Sequence, residues 1–83
     1  MSYKVGDSVN VAELDSDTGL TSVGTDVKEL KNPGKVVAIS DYPPHVQNPS
    51  EDESISPHTQ VEFTTPDGET TTVWFNSARV EAA

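Results

Sequence analysis

Residues 61–81 read VEFTTPDGETTTVWFNSARVE, and this stretch decides the fold. It parses as strand, tight turn, strand, one irregular turn and a short last strand. Thr65-Pro66-Asp67-Gly68 supplies the turn. Proline presets φ for the first corner, Asp bonds its own backbone, and Gly accepts a positive φ. The flanks, residues 61–64 and 71–75, are rich in β-branched and aromatic side chains, which suit a pleated, half-buried surface. The only Trp and both Phe of the chain lie in this hairpin. The core is therefore expected to condense on it, through Val61, Phe63, Val73 and Phe75. Alternation then turns Trp74 to the opposite face.

Upstream, residues 34–41 (GKVVAISD) read as a second strand, with Val37 and Ile39 on one face and Val36 and Ala38 on the other, covered on both sides. Residues 8–14 read as the first strand, with Val9 and Val11 on one face and Ser8 and Asn10 on the other. Between them lies a polar loop, residues 15–24 (DSDTGLTSVG), where Leu20 and Val23 are expected to tuck inward. Residues 26–31 fit either one helical turn capped by Asp26 and Glu29, or an extended return through Val27 and Leu30. Asn32-Pro33-Gly34 ends that segment. Residues 42–56 (YPPHVQNPSEDESIS) form a long loop of Pro, Ser and acid, with Val46 and Ile55 as its apolar anchors.

The count is five short antiparallel strands in one domain spanning residues 1–83. A Gly6-Asp7-Ser8-Val9 lead-in, a Gly34-Lys35-Val36-Val37 strand start and a close through Val61, Phe63, Asp67-Gly68, Val73-Trp74-Phe75 and Arg79-Val80-Glu81 resemble SH3-like barrels of the KOW and Tudor kind. That resemblance implies an all-β, five-stranded antiparallel barrel with long loops after strands 1 and 2. It also implies a single helical turn before the last strand, at residues 76–78, with residues 79–81 as that strand. KOW relatives contact RNA or ribosomal proteins and tend to be basic, which this chain is not.

The charge is one-sided: 14 Asp and Glu stand against 5 Lys and Arg, a net charge of −9. After Lys35 the only Lys or Arg is Arg79. Nucleic-acid phosphates and anionic lipid surfaces repel such a chain, so neither is an expected partner. There is no cysteine, which excludes a disulfide framework and thiolate metal sites. No apolar run approaches the roughly 18 residues of a membrane span, and no signal peptide is visible at the N-terminus. The expectation is a soluble protein of cytoplasm or virion.

Candidate chemistry is sparse. His45 and His58 sit beside Pro-rich loop, with no spacing that ties either to a hydroxyl nucleophile. Enzymatic activity and a cofactor are not expected. Asp15 and Asp17 alternate as in a calcium loop, but the third ligand and the distal Glu are missing. The sharper candidates are for binding: Trp74, Tyr42 and Tyr3 as spare aromatics, Val46 and Ile55 as apolar anchors. An acidic surface of Glu51, Asp52, Glu53, Glu62, Asp67 and Glu69 would suit a basic partner. The leading expectation is a non-enzymatic interaction or structural subunit of a larger assembly, in the manner of virion or phage accessory and joining proteins, with self-association allowed. One alternative is a Tudor-like reader of a cationic or methylated side chain, since cations favour aromatic faces. Another is an acidic mimic of nucleic acid that inhibits a DNA-binding protein.

Overall fold

The computed structural model describes residues 3–43 and 55–83. Five strands carry the fold: β1 (Ser8–Val11), β2 (Gly34–Ser40), β3 (His58–Thr64), β4 (Thr70–Asn76) and β5 (Val80–Ala82). They form one antiparallel sheet in the order β4-β3-β2-β1-β5. The all-β, antiparallel expectation holds. The sheet is not closed, and β4 and β5 are its edges.

The β3–β4 hairpin folds as its turn residues dictate. Gly68 takes φ 86° and donates to the Thr65 carbonyl at 2.9 Å, while Thr65 N–H donates to Glu69 O at 2.7 Å. The register then runs unbroken from Thr64 opposite Thr70 to His58 opposite Asn76. Phe63 and Phe75 meet edge to face on the inner side, with centroids 6.2 Å apart and planes at 85°. Such a pair adds about 0.5–1.5 kcal/mol beyond its buried area.

β2 departs from simple alternation. Its register against β3 shifts between Val36 and Ala38, the mark of a bulge, in which one strand inserts an extra residue. Val36 stays opposite Val61 in the core, but beyond the bulge Ile39 comes opposite inward Thr59 and Ala38 opposite outward Gln60. The faces read from sequence for Ala38 and Ile39 are thus exchanged. Gly34 explains the close packing of β2 on the hairpin. A Cβ there would collide with Val61 Cγ1 and stand 2.8 Å from Phe63 Cε1.

The first strand is shorter than expected. Glu13 adopts φ 61°, and a 3-10 turn follows at Leu14–Ser16, burying Leu14. Residues 26–31 resolve toward the helical alternative, as a single 3-10 turn at Val27–Glu29 that buries Val27. Asp26 makes no side-chain cap, so the capping box does not form. Leu20 and Val23 do not tuck inward: they are 68% and 41% exposed. Thr21 is the buried residue of that loop, because its backbone and its hydroxyl both bond Thr25 across a tight turn.

The core gathers Tyr3, Val9, Val11, Leu14, Val27, Leu30, Val36, Val61, Phe63, Phe75 and Val80, with Val73 packed against it. Through it runs a line of hydroxyls. Tyr3 Oη lies 2.7 Å from Thr59 Oγ1, which lies 2.8 Å from Ser77 Oγ. Each hydroxyl can donate once and accept, so the line satisfies polar groups that would otherwise be buried at a cost. It ties the N-terminal segment, β3 and the last turn together. That turn is a 3-10 turn at Ser77–Arg79, capped by the Asn76 side chain accepting from Ala78 N–H, and β5 follows it.

Candidate interaction surface

The outer face of β2, β3 and β4 is a grid fixed by register. Its central row is Trp74, Gln60 and Ala38. Thr72, Glu62 and Lys35 make the row on one side, and Asn76, His58 and Ser40 the row on the other. Trp74 is half-buried, not fully exposed. Glu62 and Lys35 are directly opposite each other, a cross-strand pair of unlike charge that supports the pairing of β2 with β3. Gln60 Nε2 donates to Thr72 Oγ1 at 3.1 Å. The result is one large aromatic at the edge strand, a carboxamide and a methyl beside it, and polar rows on either side, a mixed surface of the kind found in protein interfaces.

The other sequence-derived candidates scatter. Tyr3 is 8% exposed and belongs to the core, so it is not a spare surface aromatic. Tyr42 is half-buried just past β2, its N–H donating to Ser40 Oγ at 3.3 Å. Ile55 is 68% exposed, beside the bond from Ser56 N–H to Asp41 O at 2.8 Å. Asp67 and Glu69 are exposed at the β3–β4 turn, and Glu62 sits on the outer face. Val46, His45, Glu51, Asp52 and Glu53 lie outside the described residues. His58 Nδ1 donates to the Ser56 carbonyl at 2.8 Å, which fixes its ring at the start of β3.

Asp15 and Asp17 do not converge. Asp15 is exposed, while Asp17 accepts from Arg79 Nη2 at 2.7 Å. Among the described residues no three His, Asp or Glu side chains come together to hold a metal.

Two residues that sequence reasoning passed over hold the other half of the sheet. The Asn32 side chain accepts from Val11 N–H and donates to Val11 O, both at 2.9 Å. It therefore stands in for a strand where β2 has left off pairing with β1. Arg79 donates to the Ala12 carbonyl at 2.9 Å and to Asp17, and its guanidinium lies 5.2 Å from the centroid of the Phe75 ring. One signal did point to Arg79, as the sole Lys or Arg after Lys35 in an acidic chain. An open cleft of about 420 Å³ is lined by both, together with Asn10, Val11, Ala12 and Glu81. Two of its polar side chains, Asn32 and Arg79, are engaged with the fold, while Asn10 and Glu81 are exposed at its rim.

Among the described residues no helix is long and apolar enough to cross a membrane. Compared with protein-family models, curated proteins and solved structures, the chain matches none.

Proposed function

We propose that this chain is a non-enzymatic protein-interaction subunit of a larger assembly, built on an SH3-like framework, with the Trp74 face as its contact surface. The framework reading is supported by strand order. A β2–β3–β4 meander, a β5 that returns beside β1, and a 3-10 turn just before β5 are the arrangement expected of that fold. The observation that carries the functional reading is the central row Trp74–Gln60–Ala38, which sets a half-buried indole beside a carboxamide and a methyl on the face turned away from the core. Tryptophan in such a setting supplies a large contact area with little side-chain entropy to lose. Glu62 on this face and Asp67 and Glu69 at the adjoining turn favour a partner with basic groups at the rim. An accessory or joining subunit of a virion is one assembly of this type.

The test is affinity capture from the native source with the wild-type chain and with Trp74→Ala side by side. A partner held by the first and released by the second supports the reading. A partner held equally by both refutes the assignment to this face. The reader of a methylated side chain has less support, because burial of Tyr3 leaves Trp74 and Tyr42 as its aromatics. Titration with methyl-lysine and methyl-arginine peptides, followed by Trp74 fluorescence, separates it from the preferred reading.

A further inference from the structure

We infer that the outer edge of β4 is a self-association surface, on which a second copy of this chain adds its own β4 antiparallel about a two-fold axis at Val73. The inference is independent of the role proposed for the Trp74 face, since it rests on backbone groups. Antiparallel pairs alternate between hydrogen-bonded and non-hydrogen-bonded. The bond from Thr65 N–H to Glu69 O makes that pair a bonded one. Alternation from it directs the backbones of Thr71, Val73 and Phe75 toward β3, and those of Thr70, Thr72, Trp74 and Asn76 outward. Among the described residues nothing pairs with these outward N–H and C=O groups. Sheet edges are ordinarily guarded by charge, proline, a bulge or shortness. β4 has none of these: it is 7 residues long, TTTVWFN, with an unshifted register.

The occupant follows from the same sequence. In a register centred on Val73, the outward residue Thr72 faces the outward residue Trp74 of the second copy, and the reverse. Each N–H then meets a C=O in both directions. Thr70 meets Asn76, Thr71 meets Phe75, and Val73 meets itself, so no charge faces a charge along the strand. For a chain of net charge −9, an approach that opposes no carboxylates is a strong restriction on how two copies meet. The exposed side chains of Leu20 and Val23 add apolar surface nearby. Their loop reaches β4 through Ser22, whose Oγ lies 3.5 Å from Thr71 Oγ1.

Sedimentation equilibrium of the full chain over rising concentration tests this directly. The expected result is a mass moving from 8.9 kDa toward twice that value. Thr72→Lys places a charge on the edge, beside Glu62, and is expected to weaken association at least about tenfold. Glu81→Gln makes the same change in net charge at the opposite edge and is expected to leave association at least as strong. Amide exchange at Thr72 and Trp74 should slow as concentration rises. A monomer persisting to about 1 mM overturns the proposal. So does a dimer that Thr72→Lys leaves intact, a species larger than a dimer, or exchange at these amides that ignores concentration. Because no partner protein is present, failure here leaves the reading of the Trp74 face standing.

Discussion

At one edge of the sheet β5 spans 3 residues, carries Glu81, and turns only the backbones of Val80 and Ala82 outward; at the other, β4 spans 7 uncharged residues. The β5 side is also clamped by side chains from elsewhere in the chain. Asn32 completes the pairing of β1, and Arg79 reaches Ala12, Asp17 and the Phe75 ring. The β4 side is held by backbone ladder and core packing, with side-chain hydrogen bonds from Gln60 to Thr72 and between Ser22 and Thr71. One edge is short and tied down by side chains from distant segments, while the other leaves a long row of outward backbone groups with no partner among the described residues. The difference teaches where this molecule is finished and where it is still able to add.

Substitutions put that contrast to the test. Phe75→Ala removes the ring against which both Phe63 and Arg79 pack, so it strikes both sides at once. The expected loss is about 3–5 kcal/mol in urea unfolding, as one cooperative transition. Separate transitions for the two sides would overturn the view that they share a core. Gly34→Ala acts next, at the strand joining the two sides. Its Cβ would press Val61 and Phe63, for a loss of about 1–3 kcal/mol by overpacking. Unchanged stability would mean the packing there is looser than described.

Asn32→Ala should act on the clamped side only. Two hydrogen bonds to Val11 are lost for about 1–2 kcal/mol, read as faster amide exchange at Val11 with Trp74 fluorescence unaltered. Spread of the effect to β4 would break the distinction. Arg79→Lys keeps the charge but loses the planar fork and the ring contact, for about 1 kcal/mol or less. Because the pair with Asp17 is partly exposed, high salt should narrow the gap from wild type. Smallest is Thr72→Lys, within about 0.5 kcal/mol in the monomer's thermal unfolding. Its effect belongs to association, and a large loss of monomer stability would show that β4 is not a plain edge.

Much of the fold was legible because local chemistry and pattern agreed. The Thr65-Pro66-Asp67-Gly68 turn, the inward set Val61, Phe63, Val73 and Phe75, and the turn before the last strand all rest on short-range signals. What escaped depends on long-range partners. Val36-Val37-Ala38-Ile39 is apolar throughout, so no polar residue marks where the bulge exchanges the faces. The hydropathy of Leu20 and Val23 points inward, whereas the loop turns Thr21 inward for its hydrogen bonds. Nothing near Tyr3 in sequence marks it as core, but a partner 56 positions away, Thr59, draws its hydroxyl inside. For the contact surface, alternation correctly set Trp74 against Val73 and Phe75. The neighbours Gln60 and Ala38 required the register, which sequence does not carry.

The clamp at Asn32 has one more consequence. Because a carboxamide closes off β1, residues 12–31 leave the sheet as a loop rooted in the core through Leu14, Val27 and Leu30, with its tip around Leu20 and Val23 turned to the surface. Lengthening such a segment costs only about 0.6 kcal/mol of chain entropy per doubling. The exposed tip around Leu20 and Val23 can therefore be lengthened without redrawing the sheet, provided that Leu14, Val27 and Leu30 keep their places in the core.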